Sequence, residues 1–558
     1  NMSLYPLGCI GNADGGLALA LDMGLPAQYR IGYSGPARQF FIAYDLGLSP
    51  DTDSFPSAAP FKFAIFRTDP QWGFRAAVKK LYEVFPDHFL CRSRQQGIWM
   101  PFTDVSTVQG WEDFGFRYHE GINNVPFDDG AGILSFRYTE PSTWWFAIDP
   151  DVPRTRENVT ALLQEAVESG SARRRRQAEA ALVSGSHDAD GQLQYLVRDT
   201  PWTNGVVFSL NANPRIPGNS EAAMYWNDEV KRRLYGPDAA GEQDGEYLDS
   251  LEAYVTATEN FRREHFRCVS VPLTFATDSK RPVIHKAHAQ YEFTKWIAED
   301  VHGMGKLMFA NSVPERFAFL CPWLDVMGCE MDWLDSQGRW RPPSDERMNL
   351  RRTMCYRKPY LILMNTRFER LTPDLVEKYF QRSLFYGIWP SMFSHNASDD
   401  PYWRTPEWYN RDRHLFKRYI PLVRLAAEAG WEPVTHAATD NGRVYVERFG
   451  PSGHGRVYLT LLNDSAEAQD AALTIDAAEL GIESAESVAD LVSGETLKVS
   501  VEDDGLRVAV EMAPEQVRLI ELSGVFRHIK GAQVSEVNSG REATSVTIGP
   551  MDGRILLR

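Results

Sequence analysis

Two acid-rich segments of this 558-residue sequence carry residue types that can transfer protons or attack an electrophile. The first, residues 244–252, places four acids around a short apolar run and includes Asp249. The second, residues 324–333, has the same construction and includes Glu330. Acids at the end of a buried strand are costly to desolvate, so something must use or satisfy them. Two such carboxylates can supply a nucleophile and a proton donor, and Asp249 and Glu330 are the catalytic candidates.

The elements around these acids alternate between strand and helix from about residue 97 to 425, which predicts a parallel sheet. Convincing helices include residues 158–184, 285–301, 345–356 and 373–385. Eight strand candidates are found at residues 98–103, 132–138, 206–210, 246–249, 271–276, 306–310, 325–330 and 360–364. Eight strand–helix units are the number required for a closed (β/α)8 barrel. In this count Asp249 ends strand four and Glu330 ends strand seven.

Two β-rich regions flank the predicted barrel. Residues 1–70 show four or five strand-like segments with Gly and Pro turns, too few for a complete sandwich. From about Trp431 the hydrophobic period becomes two, which indicates an antiparallel β-sandwich. We therefore predict an α/β protein with a partial sandwich at 1–70, a (β/α)8 TIM barrel at 71–428 and a C-terminal antiparallel β-sandwich at 429–558.

The carboxyl ends of the predicted strands give the candidate binding residues, because barrel enzymes work at that end. These ends carry acids, amides and arginines, which hydrogen-bond hydroxyl groups, and the set matches a polyhydroxylated substrate. The predicted substrate-binding side chains are Asp104, Arg137, Asn211, Asn311, Asp278, Trp99 and Trp333. Several tryptophans lie at or just after strand ends, and some are expected to line sugar subsites: Trp99, Trp144, Trp145, Trp202, Trp333, Trp389 and Trp403.

The order of β-sandwich, barrel and β-sandwich resembles the glycoside hydrolases related to α-galactosidases and endo-α-N-acetylgalactosaminidases. The run from Tyr5 to Gly8 through Leu46 to Leu48 is similar to the last strands of their N-terminal domain. In those families an aspartate in a context like Gly245-Glu246-Tyr247-Leu248-Asp249 is the nucleophile, and the resemblance implies this role for Asp249. Their acid/base sits on strand five or six. With Glu330 assigned to strand seven the sequence departs from that pattern, and Asp278 is the alternative acid.

The resemblance and the two carboxylates together predict a retaining glycoside hydrolase that acts on α-linked oligo- or polysaccharides. A β-specific glycosidase with the acid roles exchanged and a non-catalytic carbohydrate-binding barrel are the alternatives. A lyase or transglycosylase is a third possibility, although lyases rely more on Tyr, His or Arg. Structural roles also compete. Asp249 and Glu252 fit a helix capping box, and Glu330 could pair with Arg137 or Arg367.

Composition excludes some partners. The net charge of -16 argues against nucleic acid, since phosphate binding depends on Lys and Arg. No apolar stretch reaches the roughly 20 residues that span a bilayer. The six cysteines show no metal-ligand spacing and are expected to be free thiols, so no metal or cofactor is predicted. Residues 1–3 lead almost directly into a strand-like segment, without a signal-peptide pattern. The compartment stays open, and an oligomer is possible.

Overall fold

A barrel of eight parallel strands forms the centre of the computed structural model, which describes residues 2–93, 95–253, 259–396, 401–451, 455–502 and 505–526. In order around the barrel, strands one to eight are Ile98–Pro101, Phe116–Glu120, Leu134–Thr139, Gly245–Leu248, Leu307–Asn311, Val326–Met331, Tyr360–Met364 and Trp389–Met392. Side chains close the seam between strands eight and one. Ser391 Oγ donates to the Trp99 carbonyl at 2.5 Å, and Trp389 Nε1 donates to Gln96 Oε1 at 2.9 Å. The predicted fold class is confirmed.

A layer of aromatic side chains fills the barrel. Its members are Trp99, Tyr118, Phe136, Tyr247 and Phe309, with ring centroids 4.9–6.3 Å apart for the contacting pairs. Gly328 makes room for this layer, since a Cβ there would lie 2.9 Å from the Trp99 ring. The barrel interior is therefore a packed apolar floor, not a channel.

The helices that follow the barrel strands pack on the outside of the barrel. They are Val125–Ala131, Glu221–Tyr225, Asp228–Tyr235, Lys286–Gly303, Asp345–Cys355, Pro373–Tyr386 and Pro406–Ala429. Short 3-10 turns lie at Val105–Thr107, Trp111–Asp113, Ala318–Trp323 and Tyr402–Arg404. The helices expected near 285–301, 345–356 and 373–385 are confirmed.

Two of the eight predicted barrel strands were assigned wrongly. Residues 206–210 and 271–276 lie in small antiparallel sheets, and the barrel instead uses Phe116–Glu120 and Trp389–Met392. The strand Phe116–Glu120 contains several polar residues and therefore lacks the apolar run expected of a barrel strand. Its His119 can be buried because it forms a hydrogen bond with the buried Asp128. The strand Trp389–Met392 is short and contains proline. Buried antiparallel strands and buried barrel strands show the same apolar run, so the pattern could not separate them.

A large insertion separates barrel strands three and four. Its three-stranded antiparallel sheet, here called the insertion sheet, consists of Thr143–Ala147, Asn204–Ser209 and Tyr195–Asp199, with Asn204–Ser209 in the centre. Helices Arg156–Ser169 and Ala172–Ser184 cover one face of it. A second insertion follows strand four, with strands Glu259–Asn260, Thr274–Phe275 and Pro282–His285 and helix Arg263–Phe266.

Antiparallel sheets flank the barrel on both sides. The N-terminal strands Leu7–Asn12, Gly15–Leu21 and Phe63–Thr68 form one sheet, Gln28–Ser34 and Gln39–Asp45 form a hairpin, and helix Gly73–Val84 and the 3-10 turn Pro86–Phe89 follow. In the C-terminal region, one sheet contains Trp431–Glu432, Val444–Phe449, Arg456–Asn463, Val517–Phe526, Ile482–Asp490 and Glu495–Thr496. The other contains Ala437–Thr439, Gln469–Ile475, Gly505–Met512 and Val499–Glu502, and the two sheets share a separate apolar core. The proposed domain boundaries at 70 and 428 stay a prediction.

Two global features bear on the expectations from composition. No helix within the described residues is long and apolar enough to cross a membrane. All six cysteines are free thiols, as predicted, and four of them are buried.

Candidate active site

One amide nitrogen joins the two predicted catalytic acids. Asn311 Nδ2 donates to Asp249 Oδ1 at 2.9 Å and to Glu330 Oε1 at 2.6 Å. Because both oxygens bond to the same nitrogen, they lie at most about 5.5 Å apart, the sum of the two distances. The structure therefore brings Asp249, Asn311 and Glu330 together at the carboxyl end of the barrel.

Strand register and alternation explain this arrangement. Leu248 pairs with Ala310 and Asn311 pairs with Gly328, so Asp249 and Asn311 are neighbours on strands four and five. Successive side chains of a strand alternate between its two faces. Residues two positions after the inward-facing Tyr247, Phe309 and Gly328 therefore also face inward, above the aromatic floor. These residues are Asp249, Asn311 and Glu330.

The corrected strand count moves Glu330 from strand seven to strand six and Asn311 from strand six to strand five. The two acids thus flank a single intervening strand and do not face each other across the barrel. In the resembled families the acid/base lies on strand five or six. With Glu330 on strand six, its position no longer differs from that pattern.

Hydroxyl groups surround the Asp249 carboxylate. Tyr138 Oη donates to its Oδ2 at 2.8 Å, Ser250 Oγ donates to the same oxygen at 3.0 Å, and Tyr247 Oη lies 3.4 Å from Oδ1. Donors on both oxygens stabilise an ionised carboxylate. The capping-box interpretation is wrong, because the described residues 250–253 form a turn and a bend and not the first turn of a helix, and the Glu252 carboxylate accepts from the backbone of Glu315.

Glu330 lies in a different environment. Its other oxygen, Oε2, accepts from Asn365 Nδ2 at 2.6 Å, and no arginine pairs with it among the described residues. Burial, together with the negative charge of Asp249, raises the pKa of Glu330 to about 7, while the amides of Asn365 and Asn311 oppose this rise. Glu330 can therefore hold a proton near neutral pH while Asp249 accepts hydrogen bonds.

Two further acids complete the layer, and the sequence interpretation missed both. Glu120, on strand two, accepts from Trp99 Nε1 at 3.0 Å, and burial together with Asp249 and Glu330 holds its pKa well above the ordinary value. Glu140, just after strand three, accepts from Thr143 Oγ1 and from Trp145 Nε1 at 3.1 Å. Burial and Asp249 raise the pKa of Glu140 to about 7. Side chains two and four positions after the inward-facing Phe136 lie on the same face of the strand. This alternation could have identified Tyr138 and Glu140 from the sequence.

Backbone strain is concentrated at the same end of the barrel. Phe102, Ser250 and Ser312 follow strands one, four and five, and each is a non-glycine residue with positive φ, at 50°, 54° and 58°. Such left-handed conformations cost roughly 1–3 kcal/mol and persist where the surroundings impose them, often at functional sites. The strained turns start directly after Asp249 and Asn311, so they help to aim these two side chains.

Two predicted hydroxyl-binding residues lie outside the site. Arg137 faces the outer side of strand three, where it pairs with Glu246 at 2.6 Å and donates to the Tyr225 carbonyl at 3.0 Å. Asn211 follows the insertion sheet, not a barrel strand, and its side chain contacts His265 Nδ1 at 3.3 Å. Both assignments are corrected, because one residue points away from the barrel interior and the other belongs to a different sheet.

The predicted tryptophan contacts with substrate also need correction. Trp99 is fully buried in the aromatic floor, where it can hold Glu120 but cannot touch a sugar. Trp333 is fully buried between Trp340 and Tyr379, with ring centroids 5.6 and 4.8 Å away. Large aromatic side chains near strand ends are packed here as core.

The two remaining predicted acids occupy loops. Asp104 caps a 3-10 turn, accepting from Ser106 N at 2.9 Å and from Asn124 Nδ2 at 3.1 Å. Asp278 is exposed in the loop between the short strands Thr274–Phe275 and Pro282–His285, outside the barrel sheet. Neither shares a hydrogen bond with Asp249 or Glu330 in the described structure, and Asp278 is thereby removed as the alternative acid.

No family model and no curated protein matches this chain. Among solved structures, the maltogenic alpha-amylase AmyB from Thermotoga neapolitana is 12% identical over 80% of this chain and 94% of its own, with a TM-score of 0.39. The GH27 β-L-arabinopyranosidase Abp from Geobacillus stearothermophilus is 13% identical over 79% and 86%, with a TM-score of 0.36. A GH30 endoxylanase from Clostridium papyrosolvens is 12% identical over 78% and 98%, with a TM-score of 0.35. The chain's own strand pairing establishes its architecture as a (β/α)8 barrel flanked by antiparallel sheets.

Proposed function

We propose that this protein is a retaining glycoside hydrolase in which Asp249 is the nucleophile and Glu330 the general acid/base. The observation that carries the proposal is the shared Asn311 amide, which limits the nearest oxygens of the two acids to at most about 5.5 Å apart. Retaining glycosidases hold their carboxyl groups about 5–5.5 Å apart, whereas inverting enzymes leave about 6.5–9.5 Å for a water molecule. The spacing favours retention.

The environments of the two acids favour this division of roles over the exchanged one. Asp249 receives hydrogen bonds from Tyr138, Ser250 and Asn311, which stabilise the ionised form that a nucleophile needs. Glu330 has a pKa raised to about 7, which suits a group that gives up and recovers a proton at neutral pH.

The reaction takes two steps. Protonated Glu330 gives its proton to the glycosidic oxygen while an Asp249 oxygen attacks the anomeric carbon. The bond to the leaving group breaks, and a glycosyl ester forms on Asp249. Ionised Glu330 then takes a proton from water, the water oxygen attacks the anomeric carbon, and the ester bond breaks to restore the Asp249 carboxylate.

Two side chains beside the acids lie where a substrate would bind. Asn365 Oδ1 is buried beside Glu330 and has no hydrogen-bond partner among the described residues, and a small rotation of this side chain would be needed before the oxygen could accept from a sugar hydroxyl. Tyr138 is 37% exposed although its hydroxyl bonds to Asp249, so its ring borders the opening of the site. The choice of α-linked oligo- or polysaccharides rests on the resemblance described above.

The experiment combines product stereochemistry with matched variants. A panel of nitrophenyl glycosides identifies a substrate, and NMR of the first-formed anomer is expected to show the configuration of the substrate. Asp249→Asn should lower kcat on the order of 10⁴-fold without unfolding the protein. Glu330→Gln should impair substrates with poor leaving groups most. Asp278→Asn is the control and should match the wild type, because this acid lies outside the site.

Azide separates the two assignments of roles. With Glu330→Ala, azide should replace water in the second step and give a glycosyl azide with the configuration of the substrate. With Asp249→Ala it should give the opposite configuration. The reversed pattern would show that the roles are exchanged. An inverted first product would exclude Asp249 as a nucleophile, and sugar binding without any hydrolysis would favour the non-catalytic alternative.

A further inference from the structure

A pair of tryptophans connects the candidate active site to the insertion sheet. Trp145, on the edge strand Thr143–Ala147, donates its indole N–H to both oxygens of Glu140 at 3.1 Å. Trp202 lies against it edge-to-face, with ring centroids 5.4 Å apart and planes at 74°. Because Glu140 and Asp249 both contact the Tyr138 hydroxyl, the acids and the two indoles form one continuous set of contacts.

The exposure of Trp202 sets it apart. All 15 tryptophans of the chain lie within the described ranges, and among them Trp202 is the most exposed, with 50% of its surface accessible. The exposed ring of Trp202 offers an apolar face and an indole N–H donor that a bound molecule can contact. The buried tryptophans near the barrel, including Trp99 and Trp333, have no such surface to offer.

The insertion sheet holds this pair in place. Trp144 and Phe146 point to the opposite face of the sheet and pack with the helices Arg156–Ser169 and Ala172–Ser184, so alternation directs Trp145 to the other face. Trp202 sits in the turn between strands Tyr195–Asp199 and Asn204–Ser209. Reciprocal backbone hydrogen bonds between Thr200 and Thr203, at 2.8 and 3.3 Å, close this turn. The closed turn places the Trp202 indole against Trp145.

From these contacts we infer a remote carbohydrate subsite, formed by Trp202 and Trp145, that binds a sugar ring of an oligosaccharide some units away from the bond that is cleaved. This inference rests on the proposed function. The face of an indole ring matches the apolar C–H face of a pyranose ring. The acids that would cleave the same oligosaccharide are connected to Trp145 through Tyr138 and Glu140. The substrate is therefore an oligo- or polysaccharide that extends over the insertion, and not a monosaccharide conjugate alone.

The test measures how affinity depends on chain length, using Asp249→Asn protein so that binding is observed without turnover. Labelled malto-, xylo- and galacto-oligosaccharides of two to six units are titrated. In the parent, the hexasaccharide of the preferred series should bind more tightly than the disaccharide. Trp202→Ala should reduce this advantage on the order of tenfold, the usual scale for loss of an aromatic binding residue, whereas Trp202→Tyr should retain part of it.

Tyr33→Ala is the matched control, because Tyr33 is 57% exposed on the N-terminal hairpin Gln28–Ser34 and should leave the length dependence unchanged. An equal loss for disaccharide and hexasaccharide, an unchanged advantage in Trp202→Ala, or a parent that binds none of these sugars would overturn the inference. Hydrolysis of nitrophenyl glycosides by the wild type tests the proposed function separately. If the wild type hydrolyses a glycoside but affinity does not depend on oligosaccharide length, the subsite is refuted and the proposed function is not.

Discussion

At the residue scale, the distinguishing feature is a group of four acids above an apolar floor. Glu120, Glu140, Asp249 and Glu330 follow or end barrel strands two, three, four and six. Asp249 raises the pKa of each of the other three, after the larger effect of their burial. Negative charges this close cannot all be held in a poorly solvated site, so an ionised Asp249 favours protonated neighbours. This coupling provides an acid and a nucleophile in one small space.

The pH dependence of catalysis should report the protonation of Glu330. The acid must carry its proton in the first step, so kcat/KM for a substrate with a poor leaving group should fall as pH rises through about 7. Glu330→Gln should abolish this basic limb together with most of the activity, when pH–rate profiles are compared. Glu140 also has a pKa of about 7, and Glu140→Gln is the matched variant. A limb that disappeared in Glu140→Gln and persisted in Glu330→Gln would contradict the assignment.

At the scale of elements, one buried carboxylate, Glu252, connects the loops that follow barrel strands four and five. Glu252 follows strand four and accepts three backbone N–H groups, from Glu315 at 3.0 Å, Arg316 at 2.6 Å and Phe317 at 3.0 Å. These three residues lie in the loop after strand five, which begins just beyond Asn311. Glu252 thus ties the loop after one strand to the loop after the next, and stabilises the strained turns at Ser250 and Ser312.

Removing this anchor should cost both stability and activity. Glu252→Ala leaves three backbone donors without their acceptor, and we expect it to lower the free energy of unfolding by roughly 2–4 kcal/mol. Glu252→Gln keeps the shape and one acceptor oxygen and should lose less. Urea denaturation gives the stabilities, and hydrogen exchange should be faster at residues 315–317 in the Ala variant. Equal stability of the two variants would mean that these hydrogen bonds contribute little.

At the scale of the whole molecule, one buried ion cluster joins the barrel to both flanking regions. Glu447, in the C-terminal strand Val444–Phe449, contacts Arg75 of the first helix at 2.6 Å and Arg352 of a barrel helix at 2.9 Å. Trp431 Nε1 also donates to Glu447 at 2.9 Å. The N-terminal region has further contacts with the barrel, since Tyr82 Oη donates to the Thr353 carbonyl at 2.7 Å. The three regions are therefore packed as one body.

The stability of the molecule should depend on the charge of Glu447. Burial opposes ionisation, but Arg352 and Arg75 lower the pKa of Glu447 to about 2. A lowered pKa in the folded state gives stability that is present above the ordinary value of about 4.3 and lost as pH falls toward 2. Glu447→Gln should cost roughly 3–5 kcal/mol at pH 7, because it leaves buried arginine charge without its partner.

The difference in thermal midpoint between Glu447→Gln and wild type is the measurement, and it should shrink steadily between pH 4.5 and 2. Glu83→Gln removes the exposed pair of Glu83 with Lys80 and is the control. Its expected effect is about 0–1 kcal/mol. A Glu447→Gln deficit that stayed constant down to pH 2 would show that packing, and not the charge, is responsible.

The sequence by itself determined the local features of this protein. Short apolar runs bounded by turns located six of the eight barrel strands, including Gly245–Leu248 and Val326–Met331. Amphipathic periodicity located helices such as Pro373–Tyr386. Polar residues at the carboxyl ends of barrel strands lie where barrel enzymes have their active sites. This rule identified the acids Asp249 and Glu330 and the amide Asn311. Each of these inferences depends only on neighbouring residues.

Only the tertiary structure decided which strands pair and which face of each strand is inside. Residues 206–210 are as apolar as a barrel strand, yet they pair antiparallel in the insertion sheet, and this removed Asn211 from the site. Arg137 and Trp99 both lie on barrel strands, but one points outward to Glu246 and the other is buried in the floor. Trp202 gained its significance from its contact with Trp145, which lies far from it along the chain. Hydrophobicity and its period along the chain are local properties that a sequence encodes directly, whereas burial and strand pairing depend on contacts between distant segments and are decided only when the chain is folded.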